Sequence, residues 1–482
     1  MKNLLADLPR GVPTQKDTDM TAPKAQWYAP ETIAGATKGH YAPHKVFLGA
    51  VGDVLVGVED DRHMLTIAGS RAGKGRSCII PNLLHYSGSV LVIDPKGENA
   101  DKTAMRRHEL GQDVHVLDPF RRCASHCAPF QASFNPLKLL DPRSPTLIDD
   151  AALIADALVI PSGGDSHWDD SAKSLIEGLL LHVATAPQYH GRRNLISVYD
   201  ALMTGETVDH LEAMEGLEAA MLMNFEADGA VITAAISLFS KPEKERESVI
   251  SVARKHLTFL RSKQMQSVLR TSDFDLTDLQ KRGTSVYLCL PAGRLSANRR
   301  WLRLFMNLAL EAFEREPKRP GQPPILMIMD EFPILGHMQQ IEDAAGQIAG
   351  FGVKLWPIIQ DLSQLKALYK DRWETFMGNS GVIQCFGNNE QTTTEWISNR
   401  LGKTSFQVVK KSDLSIRQVA DGSSGESWSI EVHDLLSPEE VARFFSRETG
   451  RQIIIRGGRY AMALERVNYD QHEFFARHAS AL

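Results

Sequence analysis

The sequence is short of the residues that would mark a chain for export or for coating nucleic acid. It has five cysteines in 482 residues, at Cys78, Cys123, Cys127, Cys289 and Cys385. An odd, scattered set excludes a disulfide framework and fits a reducing compartment. No stretch reaches the roughly 18 consecutive apolar residues that a spanning helix needs. The most apolar early segment, Val46 to Val58, is short and broken by Gly49, Gly52, Asp53 and Gly57. Where a signal peptide would place an apolar core, the N-terminus carries Asp7, Pro9, Pro13, Asp17 and Asp19. The reading is a cytoplasmic chain that reaches an inner membrane only through partners. A basic excess is missing too: 54 Lys and Arg stand against 59 Asp and Glu, a formal charge of −5. Nonspecific nucleic-acid binders are usually basic, so any such contact here must be local, as in a pore loop.

What is present is an ordinary globular composition, 43% hydrophobic and 23% charged, over a length that predicts two domains. Before about Tyr41 the chain reads as an irregular arm with Pro23, Pro30 and Pro43 nearby. Met64 to Ile67, Val90 to Ile93 and Val114 to Leu117 are uniformly apolar runs, the pattern of parallel strands buried on both faces. From about Asp141 to Asp275 the texture turns helical: 151–159, 172–183 and 248–259 carry apolar residues at helical spacing. The strand pattern resumes at Ser285 to Leu290 and Ile325 to Met329. The expected fold is therefore α/β: an N-terminal arm (1–45), a nucleotide-binding domain in two parts (46–140 and 276–482), and an inserted all-α domain (141–275). Asp421 to Glu426, rich in Ser and Gly, reads as a mobile loop. Cys123, His126 and Cys127 could be half of a zinc site; with no second pair nearby in sequence, free thiols in a loop is the reading.

The chemistry begins at Gly69-Ser70-Arg71-Ala72-Gly73-Lys74-Gly75, followed by Arg76 and Ser77. A Gly-rich turn between a strand and a helix cradles phosphate with backbone N–H groups and a helix N-terminus, and Lys74 pairs with the charge. The match to a P-loop is imperfect. Ala68 takes the position of the usual first glycine, and Gly75 that of the hydroxyl that normally binds Mg²⁺. Either Ser77 or water must substitute, or metal binding is weaker. The apolar run Ile325 to Met329 ends in Asp330-Glu331, a Walker B layout in which Asp330 holds Mg²⁺ and Glu331 polarises the attacking water. Asp94 to Glu98 closes another strand. Gln360, after Val353 to Ile359, could report the γ-phosphate, although Pro357 is awkward inside a central strand. ATP and Mg²⁺ are the expected cofactors.

Together these pieces resemble the TraG/TraD class of type IV secretion coupling proteins, from about Arg62 to the C-terminus. The resemblance is carried by Ser70 to Gly75, Ile80 to Leu84, Asp94 to Glu98, Phe134 to Leu137, His167-Trp168, Asp330 to Gly336, Ile359 to Leu365, and Leu401 to Thr404, in that order. It implies a RecA-like motor that assembles as a homo-hexamer around a channel, with the all-α domain choosing substrate. The implied cargo is relaxase-bound single-stranded DNA or an effector protein, and the implied partners are inner-membrane components of a type IV secretion system. Most members begin with transmembrane helices, which this sequence does not show. Some place an arginine finger where this chain has Gln347-Ile348-Ala349; Arg372 and Arg400 are the weak substitutes. Two other readings compete: a DNA translocase of the FtsK/HerA kind unlinked to secretion, and a weakly hydrolysing nucleotide-binding adaptor.

Overall fold

Short β-branched and leucine-rich runs dominate the central strands of this protein, including 63–68, 90–94, 284–289, 325–329, 353–359 and 380–386, and these are buried along their whole length, as expected where both faces are covered. The computed structural model describes residues 24–161, 166–203, 210–411 and 426–479. In chain order the strands are β1 (Val46–Val51), β2 (Val54–Val58), β3 (His63–Ala68), β4 (Val90–Asp94), β5 (Asp113–Leu117), β6 (Thr284–Cys289), β7 (Ile325–Met329), β8 (Val353–Ile359), β9 (Ser380–Phe386), β10 (Lys403–Lys411), β11 (Glu426–Asp434), β12 (Arg451–Arg456) and β13 (Met462–Glu465). The chain divides into two compact units, residues 1–86 with 356–478 and residues 87–355 with 479–482.

In the first unit the strand order is β2-β1-β13-β12-β9-β3-β8, β8 joining from Trp356 onward. β3 runs parallel to β8 and β9. β12, β13, β1 and β2 continue the sheet antiparallel. Pro357 is tolerated because the pairing of β8 with β3 runs through Ile358 and Ile359, beyond the proline. A buried polar chain crosses this sheet. Trp356 Nε1 donates to Thr66 Oγ1 (2.8 Å), Thr66 Oγ1 to Gln384 Oε1 (3.0 Å), Gln384 Nε2 to Gln452 Oε1 (2.5 Å), and Gln452 Nε2 to the Leu48 carbonyl (2.6 Å). Every link is satisfied, as a polar network in a core must be. β10 and β11 form a separate hairpin, from Lys403↔Asp434 to Lys411↔Glu426.

The stretch expected to be an irregular arm lies partly outside the described residues. Its visible part is ordered: Pro30–Gly35 is helical, Trp27 and Ile33 are buried, and the backbone N–H groups of Ala25 and Tyr28 bond to Lys403 and Ala461. Val46 to Val58, noted in sequence only for its apolarity, is the β1–β2 hairpin. Positions 421–425 of the expected mobile loop also lie outside the described residues.

In the second unit β7-β4-β6-β5 form an all-parallel sheet. The register sets Asp94 beside Cys289 and Ile93 beside Met329, so the strand ends align. Among the described residues between β5 and β6, no strand occurs. Ser166–Thr185 packs against Leu147–Leu158, Ala230–Phe239 and Glu243–His256. Gly178 allows one such approach: a Cβ there would overlap that of Ala234. Glu243 and Glu245 in the first turn and Arg254 to His256 in the last suit the dipole of their helix. Arg315, closing the long helix Ala292–Arg315, pairs with the buried Asp150, and Arg300 Nε donates to the Leu158 carbonyl (3.0 Å). These contacts fasten the helical stretch to the helix that follows β6. Among the described residues no single helix is long and apolar enough to cross a membrane.

Candidate functional site: an anion cradle and a carboxylate pair

The loop after β3 is built from backbone. Gly69 N donates to the Phe386 carbonyl (3.1 Å), and a Cβ at Gly69 would overlap the Gly387 carbonyl, so only glycine fits. Arg71 (φ 56°) and Gly73 (φ 90°) are both left-handed, with Ala72 between them. Such alternation turns successive N–H groups inward and makes a concavity for anions. Lys74 follows in helical conformation and caps a turn over Gly75–Ile79 that continues into Ile80–His85. Left-handed residues followed directly by a helix start are a backbone arrangement that can bind phosphate.

The C-terminal segment braces this loop. Arg466 donates to the Ala72 carbonyl and, at 2.5 Å, to that of Arg447, while its guanidinium lies 4.9 Å from the Phe386 ring centroid. Arg76 Nε meets Asp470 Oδ1 at 2.7 Å, and Tyr469 N donates to the Arg76 carbonyl. Beside the loop lies a cavity of about 420 Å³ lined by Gly69, Ser70, Gln360, Asp361, Asn388 and Arg447 among others. Gln360 is thus brought to the mouth of the cradle. Its backbone N–H donates to Gln364 Oε1 (3.1 Å), and Asp361 caps the helix Leu362–Tyr369, which fixes where the turn ends. Ser77 is placed differently from the loop residues: its side chain is buried and its hydroxyl donates to the Gly73 carbonyl (3.0 Å). Gly75 has open space where a side chain would stand.

In the second unit β7 delivers Asp330 and Glu331 at its end. Glu331 is left-handed (φ 69°), an uncommon conformation for a residue with a side chain, and leads into the turn Phe332–Leu335. Asp94, at the end of the adjacent strand, accepts from Ala100 N (2.9 Å) and Asn99 Nδ2 (3.3 Å). Burial raises its carboxyl to about 7, and the charge of Asp330 adds to the rise. Carboxylates at the ends of adjacent strands form an oxygen donor set suited to a hard divalent cation. The donor set therefore fits magnesium.

The model of the family described as "Type IV secretory system Conjugative DNA transfer" matches residues 17–482. The chain belongs to this family. Within it, the conjugal transfer protein TraG of Escherichia coli is 27% identical over 397 residues, covering 79% of this chain and 61% of that protein. VirD4 of Agrobacterium fabrum is 27% identical over 428 residues, covering 84% and 58%. The chain thus spans about three fifths of the length of these family members. Among solved structures, the bacterial conjugative coupling protein TrwBdeltaN70 in complex with sulphate superposes with a TM-score of 0.66 at 14% identity, covering 96% of this chain and 98% of that one. TrwB in complex with a non-hydrolysable ATP analogue gives 0.63 at 14% identity, covering 92% and 95%. The family's fold is this one: a RecA-like P-loop α/β architecture with helices inserted between strands.

Sequence reading missed Asn388, Arg447 and Arg466. The first two sit in loops with no motif of their own, and Arg466 follows a short antiparallel strand; only their place beside the P-loop marks them. It grouped Asp94 to Glu98 with the nucleotide site as the close of a strand but gave the Asp94 carboxyl no role.

Proposed function

We propose that this chain is an ATP-driven coupling protein that brings relaxase-bound single-stranded DNA, or an effector protein, to a type IV secretion channel, acting as a homo-hexamer recruited to the inner membrane by its partners. The observation that carries the proposal is the loop of 69–75, whose left-handed Arg71 and Gly73 build an anion cradle in a member of a conjugative DNA transfer family. In this reading Gly69 to Gly75 hold the phosphates through N–H groups, and Lys74 neutralises their charge. Asp330 holds magnesium, and Ser77, whose hydroxyl donates its proton to the Gly73 carbonyl and keeps its lone pairs, or water fills the place of the missing hydroxyl. Magnesium supplies charge neutralisation on the phosphate oxygens. Glu331 accepts the proton of the attacking water, and Gln360, on the wall of the cavity beside the loop, reports the γ-phosphate.

The test is ATP turnover of the purified chain with and without single-stranded DNA, beside Lys74→Ala. Turnover that rises with DNA and falls to background in the variant is expected. Undiminished turnover in Lys74→Ala would remove the cradle from the mechanism. Tight nucleotide binding without turnover would favour the adaptor reading. Light scattering with ATP and DNA checks the ring, since ligands that bind between subunits drive assembly by mass action.

A further inference from the structure

We propose that Asp101, His126 and Cys127, with Cys123 as fourth ligand, form a binding site for one zinc-class divalent ion in the second unit. The sequence shows Cys123, His126 and Cys127 without a second pair. The fold supplies what was lacking. The helix Glu98–Glu109 lies against the turn Ser125–Phe130, and this brings a carboxylate oxygen of Asp101, a ring nitrogen of His126 and the Cys127 thiol within 4.8 Å of one another. Cys127 Sγ is 3.6 Å from Asp101 Oδ1, its thiol is fully buried, and it is hydrogen-bonded to the thiol of Cys123.

The surroundings hold these groups in place. Ala124 N donates to Asp101 Oδ1 (2.6 Å), and Cys123 N to Asp118 Oδ2 (2.7 Å). His126 Nε2 lies 2.8 Å from the Asp101 carbonyl oxygen. A carbonyl can only accept, so Nε2 carries the proton and Nδ1 the lone pair a metal would use, the outer-shell arrangement common to metal-binding histidines. Thiolate, imidazole and carboxylate together select zinc over magnesium or calcium. At zinc's usual bond lengths tetrahedral ligand atoms stand roughly 3.5 Å apart, so binding draws the cluster inward by about 1 Å. Cysteine binds zinc as the thiolate, so binding releases thiol protons to solvent and tightens as pH rises. The ion would clamp the first turn of the helix after β4 to the loop after β5, near the end of β4 where Asp94 stands.

Cobalt(II) is the probe, added to the full chain after reduction and chelator removal, without nucleotide. About one bound cobalt with an intense sulfur-to-metal charge-transfer band and tetrahedral visible bands is expected, erased by added zinc. Cys127→Ser should cut the sulfur band to about half, the share left to Cys123, and a chelator should lower the unfolding midpoint of the zinc-loaded chain. Cobalt at the acids of β4 and β7 would give only weak octahedral bands, so binding there is distinguishable. Absence of the sulfur band from the unaltered reduced chain overturns the proposal, whether or not Cys127→Ser folds. A band that persists unchanged in a folded Cys127→Ser does the same.

Discussion

The loop after β3 and the acids after β7 solve opposite electrostatic problems with different parts of the chain. At β3 the ligand groups are backbone N–H, so the sequence there is glycine-rich and the geometry is written in φ angles, at Arg71 and Gly73. At β7 the ligand groups are side-chain oxygens, so the sequence is acidic and the geometry is written in strand register, which sets Asp330 near Asp94. A cradle of backbone is intolerant of added atoms but indifferent to pH. A pair of carboxylates tolerates changes of shape but is governed by protonation. The two ends should therefore fail differently.

The largest effect is expected from Glu331→Gln. The amide keeps the shape and the left-handed backbone but cannot accept a proton, so turnover should fall by about a hundredfold or more while nucleotide binding persists. Turnover and equilibrium binding on one preparation check this, and joint loss of both would assign Glu331 a structural role. Gly69→Ala tests the opposite intolerance. Its Cβ would overlap the Gly387 carbonyl, so the loop must shift, at a cost of about 1–3 kcal/mol in urea unfolding together with loss of nucleotide binding. An alanine that binds nucleotide normally would mean that the cradle is more plastic than its backbone implies.

The acid pair should show itself in pH. The Asp94 carboxyl titrates near 3.8 when unfolded and at about 7 when folded. Between those values the folded chain keeps a proton that the unfolded chain has shed. Stability from this group is therefore lost as pH rises through the window, at up to about 1.4 kcal/mol per pH unit, and is level above it. Asp94→Asn removes the proton, so the stability of wild type relative to the variant should fall from pH 5 to pH 7. Urea midpoints across that range decide, and parallel curves would show that Asp94 does not hold the proton. The smallest effect is expected from Gly75→Ser. Open space surrounds that position, so the hydroxyl should fit without strain and lower the magnesium needed for half-maximal turnover a few-fold. An unchanged magnesium requirement would mean that Ser77 or water already serves fully in the hydroxyl's place.

Much of this was legible from the chain. The runs at 64–67, 90–93, 114–117 and 325–329 fall on strands, and 285–290 does so up to Cys289, because parallel strands buried on both faces leave an unbroken apolar signature. The helical patterns at 151–159, 172–183 and 248–259 fall on or across helices, though their ends differ by several residues. The antiparallel strands were not legible. β1 and β2 are interrupted by Gly49 and Gly57, and β12 and β13 are short, so their identity depends on partners distant in sequence. The thiol cluster was hidden for the same reason. Asp101 lies on a different element from His126 and Cys127, and sequence spacing carries no trace of that meeting.

The partners of β3 impose an order on synthesis. β9, its parallel neighbour, ends at Phe386, about 300 residues after the P-loop strand has left the ribosome, and β12 and β13 come later still. At bacterial or slower elongation speeds that is a delay of roughly 15–60 s. The second unit, ending at Leu355, can close around its own sheet meanwhile. The hairpin β1–β2 and the strand β3 must wait with apolar faces and open edges, which makes this early segment the stretch of the nascent protein most in need of a chaperone.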